Sequence, residues 1–390
     1  MNSHASQGTD DLVWGNISDA ELLDVQSEHL LTEPKSIIPG PDSHDCGVSE
    51  KRDVASERAK GTGLAVSATV KENRPCPTPK RKRDPASTPM ERFFRRSLNV
   101  TMLCKQTWCE MQAVYSLELP LVAKRELERA EVKAGASVHL ARELEVHEVV
   151  PVRAVTREDR QAINLLNLLG MIPVLQAGGV VRELPVFGVL EGVYMVGVID
   201  ELHYSDRGEL VLSELKTRRH SSLPREAQAK GHRLQVGLYK LLFDGLVRGF
   251  LTRDDFVEHL RLRLEQPLGA AVLQHAGKLG FQVTTLGDLL DVLLLNLRYC
   301  ELPGIDVLRL EYRHQDSGLA LGSQDVPFDE DLLRAELRNL LSYWTGRREP
   351  RGVDIEEAWK CGMCAYEKHC QWRGEQLQGS VMLHTDKKPK

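Results

Sequence analysis

What the sequence lacks already excludes several classes of protein. Aromatic residues make up only 5% of the 390 residues, and no stretch approaches the ~18 consecutive apolar residues of a membrane span. Positive charge is not in excess, and the formal net charge of −5 excludes a globally basic nucleic-acid binder. Any binding of nucleic acid must therefore use a locally basic groove. The 42% of hydrophobic residues are ordinary for a soluble globular chain and exclude a fibrous one.

Basic residues are also missing from the start of the chain. The first is Lys35, whereas Asp10, Asp11 and further acidic residues precede it. A secretory signal begins with basic residues and a mitochondrial transit peptide is rich in arginine, so we expect neither. In a reducing compartment, the eight cysteines indicate metal or iron–sulfur ligation more than disulfide bonds.

Residues 1–90 contain a single aromatic residue, Trp14, and no sustained apolar period. Such a segment buries too little surface to offset its ordering entropy, so we expect residues 1–90, and the tail at 375–390, to be disordered. Residues 10–31 mix acidic and apolar side chains, which suits a helix that folds on a partner, although a solvated tail is the alternative. The basic run at 80–83, between two prolines, indicates a nuclear import signal.

From about residue 91 the pattern becomes globular, and it predicts an α/β (α+β) core: a central mixed sheet flanked by helices. The order is helices, then a run of strands, then helices again. Thr156 is a predicted N-cap. The predicted helices span 97–118, 125–148, 157–171, 225–247, 286–297 and 329–344, and the predicted strands span 180–189, 193–203, 210–217 and 307–312.

Two neighbouring predicted strands carry the residues that matter most. A hairpin closed by a three-residue loop at 206–208, with Gly208 in the left-handed position, sets their register. Counting outward places Asp200 opposite Glu214, with Cβ atoms about 5 Å apart on one face of the sheet. Lys216, two residues further on, projects from the same face. A loop one residue shorter would separate the two carboxylates, so the prediction depends on this register.

Two carboxylates and an amine on one face suit the metal-assisted hydrolysis of a phosphodiester. Asp200 and Glu214 can hold one or two Mg²⁺ ions, which take further oxygens from a substrate phosphate. The ion acidifies a bound water and stabilises the charge of the transition state. Lys216 can orient the attacking water or help to deprotonate it. The alternative interpretation is an ordinary Glu–Lys surface pair beside a lone acid.

The series Asp200, then Glu214-Leu-Lys216, resembles the signature of PD-(D/E)xK nucleases. Four further features match the RecB-type branch of that family: Glu183 in the preceding strand, Gly197 three residues before Asp200, the motif Gly135-Ala-Ser-Val-His139, and Gln235-x-x-x-Tyr239 on the next helix. The resemblance implies that His139, Gln235 and Tyr239 join the catalytic set, with His139 as a further candidate metal ligand. Gln235 and Tyr239 share a helical face and could hold a phosphate or line the DNA path, or could simply pack on the sheet.

Three cysteines near the C-terminus, Cys361, Cys364 and Cys370, have metal-ligand spacing but lack a fourth ligand. The candidates for the fourth are Cys104, Cys109, Cys300 and His369. Members of the RecB-type branch with one cysteine before the nuclease motifs and three after them bind a [4Fe–4S] cluster. Because the Trp108-Cys109-Glu110 context resembles the exonuclease V family, we expect Cys109, with Cys104 in reserve. A zinc site is the alternative.

The resemblance covers residues 93–373. It implies a nuclease domain at 91–374 with a split iron–sulfur module at about 97–120 and 353–373, which ties both ends around the core. It also implies a Mg²⁺-dependent, single-strand-specific DNA exonuclease that acts in DNA repair. A silent DNA-binding scaffold and an endonuclease of the same fold remain the alternatives.

The implied DNA channel must be locally basic, because residues 91–390 carry 40 basic and 42 acidic residues. The predicted wall consists of Arg218, Arg219, Arg225, Lys230 and Arg233. We further expect a nuclear monomer whose residues 10–31 contact a single-strand-binding protein. The polarity of digestion does not follow from the sequence.

Overall fold

The computed structural model describes residues 29–34 and 87–376. The basic run at 80–83, most of the acidic segment at 10–31 and the chain beyond residue 376 lie outside the described residues. Strand β1 (His29–Pro34) and the first two residues of helix α1 (Pro89–Arg92) lie within the segment 1–90, whose disorder stays a prediction. Strand β1 takes its hydrogen bonds from the distant strand β3 (His147–Val152), and local composition does not reveal such a partner.

A six-stranded mixed sheet forms the centre of the described fold, which confirms the predicted fold class. Along it β5 and β6 run antiparallel, β6 and β7 parallel, and β7 and β8 antiparallel, while β4 pairs antiparallel with β5. Its strands are β2 (Leu98–Asn99), β4 (Val181–Leu190), β5 (Val193–Tyr204), β6 (Leu210–Arg218), β7 (Val307–His314) and β8 (Ala320–Val326).

The burial of a strand reflects its position in the sheet. Strand β6 lies between β5 and β7, and its residues are buried from Leu210 to Thr217, as expected for a central strand. Strand β8 is the edge strand, and most of it is exposed or half-buried. It is absent from the predicted strands because its polar residues and glycine carry little strand preference, and its pairing with β7 alone stabilises it.

Helices surround the sheet, and two predicted helices are each divided. The first, over 97–118, is interrupted by Cys109, whose extended backbone separates α2 from α3. The second, over 125–148, is interrupted at Arg129 and ends at strand β3. The remaining helices are α2 (Val100–Trp108), α3 (Glu110–Glu118), α4 (Pro120–Leu127), α5 (Ala130–Val146), α6 (Arg157–Gln176), α7 (Glu226–Val247), α8 (Arg253–Glu258), α9 (Ala270–Lys278), α10 (Leu286–Tyr299) and α11 (Glu330–Trp344), followed by 3₁₀ helices at Ile355–Met363 and Glu367–His369.

Helix α7 is the centre of the packing. It contacts β4, β5, β6 and β7 and also α2 and α11, and most of its residues are buried. Helix α6 begins at the predicted N-cap, Thr156, whose hydroxyl accepts a hydrogen bond from the Asp159 amide. No helix among the described residues is long and apolar enough to cross a membrane.

Candidate active site

The hairpin between β5 and β6 has the predicted register. The Ser205 amide donates to the Glu209 carbonyl at 2.9 Å, and Gly208 has a φ of +80° in the turn. Strand pairing then continues outward to Glu201 opposite Ser213, so the next pair is Asp200 and Glu214. The three-residue loop therefore sets the alignment of the two acids, as the sequence predicts.

The two strands part at these acids. The pairing between β5 and β6 ends at Glu201 and Ser213, and the Leu215 amide donates instead to Asp200 Oδ2 at 2.7 Å. Further along the same edge of β5, strand β2 takes the place of β6 as the partner. The Asp200 carboxylate thus accepts the hydrogen bond that the Leu215 amide would donate to a backbone carbonyl in a regular ladder. This hydrogen bond fixes the Asp200 side chain in the gap between β5 and β6.

A third carboxylate lies on the other side of Asp200. Arg182 pairs with Glu201 and Leu184 with Ile199, so Glu183 stands opposite Asp200 in the register. Glu183 has a φ of +53°, a left-handed conformation that is strained for a residue with a long side chain. Strain of this kind persists where the surroundings enforce it, and it clusters at functional sites. Glu183 matches the family motif but is not among the predicted site residues.

Helix α5 brings a histidine to these carboxylates. His139 Nδ1 lies 3.5 Å from Asp200 Oδ1 and 3.9 Å from Glu183 Oε1. One turn earlier, Gly135 allows the helix to approach β6, because a Cβ there would lie 3.1 Å from Thr217 Oγ1. The Gly135-to-His139 motif therefore combines a close contact with the sheet and a side chain aimed at the site.

These residues could hold a hard cation. Ligand atoms of His139, Glu183 and Asp200 all lie within 4.8 Å of one another. Glu214 Oε2 is buried and has no hydrogen-bond partner among the described residues, so it offers a further oxygen. Oxygen-rich sets of this kind suit Mg²⁺. We refer to His139, Glu183, Asp200, Glu214 and Lys216 as the strand site.

Lys216 is held by a chain of buried groups. Its Nζ donates to Glu214 Oε1 at 2.8 Å and to Gln235 Oε1 at 2.7 Å, and Gln235 Nε2 donates to the Tyr239 hydroxyl at 2.9 Å. Gln235 is 3% exposed and Tyr239 is 1% exposed. Of the alternatives open for these two side chains, their burial favours packing on the sheet, where they orient Lys216.

Gly197 explains how Tyr239 fits. A Cβ at this position would lie 2.4 Å from Tyr239 Cε1, far inside van der Waals contact. The absence of a side chain on β5 thus leaves space for the tyrosine ring on α7. The matched motif residues Gly197, Gln235 and Tyr239 form one supporting unit behind Lys216.

The two opposed acids have pKa values shifted in opposite directions. Burial raises the pKa of Glu214 to about 7, the charge of Asp200 adds to this, and Lys216 only partly opposes it. Burial acts to raise the pKa of Asp200 as well, but His139, Lys216 and the Leu215 amide outweigh it and lower that pKa. Two such carboxylates ionise together more readily when a cation lies between them.

An ion-pair network centred on the buried Glu201 lies next to the strand site. Glu201 Oε2 accepts from Arg142 Nη2 and from Arg182 Nε, each at 2.7 Å. Arg182 also donates to Glu145 at 2.6 Å. Because these residues neighbour His139, Glu183 and Asp200 in sequence, the network fixes helix α5 against β4 and β5.

Comparison with known proteins agrees with this geometry. The family model described as "Exonuclease V - a 5' deoxyribonuclease" matches residues 88–210, 204–291 and 281–373. The chain is also 48% identical over 363 residues to a protein named Exonuclease V from Danio rerio, covering 92% of each chain. The chain belongs to the exonuclease V family. The predicted enzyme class, an exodeoxyribonuclease, is thereby confirmed.

A solved structure described as "Crystal structure of SSO0001" is 14% identical in sequence, with coverage of 73% of this chain and 93% of that one. Its TM-score of 0.37 is too low to support any argument about this enzyme.

The predicted basic wall lies at the end of β6 and the start of α7, but ion pairs and hydrogen bonds engage most of it. Arg219 pairs with Glu131 at 2.8 Å, Lys230 with Glu336 at 3.1 Å, and Arg233 with Glu226. Arg218 donates to the Ser222 carbonyl and to Gln228, and Arg225 is the N-cap residue of α7. These side chains are therefore largely engaged by acidic and polar partners and do not form a uniformly positive surface.

The four expected cysteines line one cavity. Cys109, at the break between α2 and α3, faces Cys361, Cys364 and Cys370 from the C-terminal segment. Burial raises the pKa of Cys109 to about 12 and that of Cys364 to about 11, and the neighbouring cysteines add to both effects. Such thiols become thiolate ligands only when a cation compensates their charge. We call these four residues the cysteine module.

Aromatic and charged contacts hold the module to the enzyme. Trp108 packs edge-on against Trp359 with ring centroids 5.6 Å apart, and Tyr115 stacks on Tyr366 at 6.2 Å. Arg348 binds both carboxylate oxygens of Glu110 at 2.5 Å. The C-terminal segment is therefore packed against α2 and α3.

The other predicted candidates for the fourth ligand lie elsewhere. Cys104 does not line the cavity, and its carbonyl faces Gly231 on α7. Cys300 is buried after α10, and its Sγ donates to the Leu297 carbonyl. His369 is also absent from the cavity lining. Among the candidates, Cys109 is the residue brought to the three C-terminal cysteines.

Proposed function

We propose that the enzyme is a Mg²⁺-dependent, single-strand-specific exonuclease that digests DNA from 5′ ends during DNA repair. The observation that carries the proposal is the convergence of His139, Glu183, Asp200 and the Glu214–Lys216 pair on the gap between β5 and β6. Membership of a family described as 5′ deoxyribonucleases supports the polarity.

Asp200, Glu183 and Glu214 would hold the Mg²⁺ ion, with His139 beside them, since their oxygens and imidazole nitrogen face one gap. When bound, the ion would supply a more acidic water and charge stabilisation at the scissile phosphate. Lys216 Nζ has three N–H donors and uses two on Glu214 and Gln235, so the third is left to orient the attacking water or a phosphate oxygen. Gln235 and Tyr239 keep Lys216 in place.

The test is cleavage of single strands labelled at the 5′ or the 3′ end, linear or circular, with Mg²⁺ and with EDTA. We expect early release of the 5′ label from linear strands, no cleavage of circles and none in EDTA. Cleavage of circles would instead indicate an endonuclease, and binding without any cleavage would indicate a scaffold. A double-stranded control measures strand specificity.

We also propose that the cysteine module binds a [4Fe–4S] cluster through Cys109, Cys361, Cys364 and Cys370. Four cysteines that line one cavity supply the four thiolates that a cubane cluster requires. The cluster would tie the two ends of the domain together and lie outside the hydrolytic chemistry.

The absorbance of anaerobically purified protein tests the cluster. We expect a brown protein with a broad band in the visible range and about four irons per chain. The band should vanish in Cys109→Ala and persist in Cys104→Ala and Cys300→Ala, which are matched controls. A colourless wild-type protein containing one zinc would contradict the proposal.

The remaining proposals concern location and partners. We propose that the enzyme is a nuclear monomer, imported through the basic run at 80–83, and that residues 10–31 bind a single-strand-binding protein. Removal of residues 1–28 should leave cleavage of naked DNA unchanged and weaken cleavage of coated DNA. A large loss on naked DNA would contradict the partner proposal.

A further inference from the structure

Three arginines lie close together at the surface, away from the strand site. Arg96 Nη1 donates to the Leu260 carbonyl at 2.9 Å, and Arg157 donates to the same oxygen. Arg160 lies three residues beyond Arg157 on α6, hence on the same helical face. All three residues are exposed. One carbonyl thus holds two guanidinium groups together, and a third stands beside them; we call Arg96, Arg157 and Arg160 the distal arginine patch.

The neighbouring acid does little to balance this charge. Glu158 is only 5% exposed, and its Oε1 accepts from the Arg263 amide at 3.1 Å and lies 3.6 Å from Arg263 Nε. Arg263 therefore engages Glu158 and adds a further positive charge nearby. Mutual repulsion of this kind is relieved when an anion binds.

An exposed aromatic residue, Phe94, lies two positions before Arg96 in the chain. Phe94 is 83% exposed and has a φ of +53°, a conformation in which glycine is usual at the end of a helix. It follows α1, where the Arg95 amide closes the helix on the Met90 carbonyl at 2.7 Å. Arg96 lies two residues further on. A large apolar side chain held in a strained and exposed position has no packing role that would explain it.

The patch lies at the far end of β5 from Asp200. Leu98, two residues after Arg96, pairs with Met195, which is five residues from Asp200, or about 16 Å at ~3.3 Å per residue. The Leu260 loop is at the same end, because Phe256 packs on Tyr194 with ring centroids 5.9 Å apart. A separation on the order of 20 Å corresponds to about six nucleotides at the duplex rise of ~3.4 Å, and to fewer in an extended single strand.

We propose that the distal arginine patch binds phosphates of single-stranded nucleic acid while Phe94 stacks on a base. The inference rests on the proposed function, because the strand held here is the one whose end lies in the strand site. Proteins that bind single strands without sequence preference combine a basic surface with aromatic stacking platforms, and this surface offers exposed arginines and an exposed ring. An acidic peptide would match the arginines but leave the role of Phe94 unexplained.

Three variants separate charge, stacking and folding. Arg96→Gln with Arg157→Gln removes two charges but keeps N–H donors for the Leu260 carbonyl. Arg96→Lys with Arg157→Lys keeps the charges. Phe94→Gly removes the ring and relieves the left-handed strain, so it should not lower the thermal midpoint.

A matched control removes two arginines elsewhere, as Arg207→Gln with Arg298→Gln. Arg207 lies in the hairpin loop after β5. Arg298 lies near Cys300, whose carbonyl contacts Gln176 at the far end of α6, about 30 Å from Arg157 for a helix of 20 residues.

The experiment is anisotropy titration in EDTA with labelled strands of 6 and 30 nucleotides, as DNA and as RNA, over a range of salt. For the 30-mer, the double Gln variant should bind about tenfold more weakly, and the slope of log K against log salt should fall by about 1.4, or ~0.7 for each phosphate that is no longer neutralised. Phe94→Gly should weaken binding at least about fivefold. The Lys variant and the control should stay within twofold of wild type.

Because a 6-mer only just spans the distance between the strand site and the patch, the variants should weaken its binding less than that of the 30-mer. A loss of affinity for DNA and RNA alike supports the recognition of phosphates and bases. A loss of affinity for one of them identifies which nucleic acid the patch binds. The proposal is overturned if the patch variants bind the 30-mer as tightly as the wild type, or if the control variant loses the same affinity. The patch proposal is also overturned if the variants lose affinity for a labelled acidic peptide while their affinity for nucleic acid is unchanged. If the wild type cleaves none of the strands, the proposed function is refuted. The binding measurements in EDTA can still be interpreted.

Discussion

The strand site and the cysteine module are built in different ways. The acids of the strand site lie opposite one another on three neighbouring strands, and backbone pairing sets their spacing. The cysteine module joins Cys109 to residues that follow it by more than 250 positions, and tertiary packing rather than strand register brings them together. A substitution at a site set by strand register can remove the chemistry without unfolding the protein. A substitution at a site assembled from the two ends of a domain should mainly lower the stability.

The largest expected effect is on the strand site. Asp200→Asn keeps an acceptor for the Leu215 amide but removes the charge, so single-strand cleavage should fall on the order of 10³-fold, or about 4 kcal/mol of transition-state stabilisation. The free energy of unfolding should change by no more than about 1 kcal/mol, because active-site charges are selected for function rather than stability. Single-turnover cleavage and urea unfolding measure the two effects. Asp206→Asn, in the loop of the same hairpin, is the control; a comparable loss there would contradict the assignment.

The cysteine module should show the reverse. If the proposed cluster is bound, Cys109→Ala removes a cross-link over about 250 residues, which by chain entropy is on the order of 5 kcal/mol of stability. Thermal unfolding should therefore shift far down, together with loss of bound iron, while Cys104→Ala stays near wild type. A Cys109→Ala protein as stable as the wild type would show that packing alone holds the two ends.

The ion-pair network next to the strand site should couple stability to pH. Burial acts to raise the pKa of Glu201, but His203, Arg142 and Arg182 outweigh it and lower that pKa to about 2. Because the folded-state pKa lies below the ordinary value of 4.5, the network contributes about 3 kcal/mol above pH 4.5 and loses it as the pH falls toward 2. Glu201→Gln should be less stable than wild type at pH 7, and the difference should shrink in acid. Urea unfolding at pH 7, 4 and 3, with exposed Glu148→Gln as the control, tests this; a constant difference would refute it.

The smallest effect should come from Gly197→Ala. The added Cβ would displace the Tyr239 ring and, through Gln235, Lys216, so we expect a stability loss of about 1–3 kcal/mol together with slower cleavage. Gly188→Ala on β4 meets Leu242 at an ordinary 3.6 Å and should be neutral. Cleavage and unfolding both at the wild-type level in Gly197→Ala would mean that Tyr239 does not position Lys216.

The two sites also differ in how far the sequence predicts them. Loop length sets hairpin register, so the opposition of Asp200 and Glu214 follows from the three residues at 206–208. The left-handed backbone of Glu183 and the burial of Gln235 and Tyr239 depend on neighbours distant in sequence, and no local pattern encodes them.

The cysteine module illustrates the same limit. Spacing identifies Cys361, Cys364 and Cys370, and family context favours Cys109, but the helical pattern runs through Cys109 without interruption. The break there appears only when the C-terminal segment packs against it, where the Met111 amide donates to the Arg351 carbonyl. Strand β8 escapes prediction for a related reason, since its partner stabilises it more than its composition does.

The most direct test of the account is a calorimetric titration of Mn²⁺, as a probe for Mg²⁺, into the wild type, Asp200→Asn and Asp206→Asn at neutral pH. We predict one or two ions per chain for the wild type and Asp206→Asn, and loss of at least one ion, or weakening by more than about tenfold, for Asp200→Asn. Undiminished binding by Asp200→Asn would mean that the divalent ion is held elsewhere, and the strand site would no longer explain cleavage.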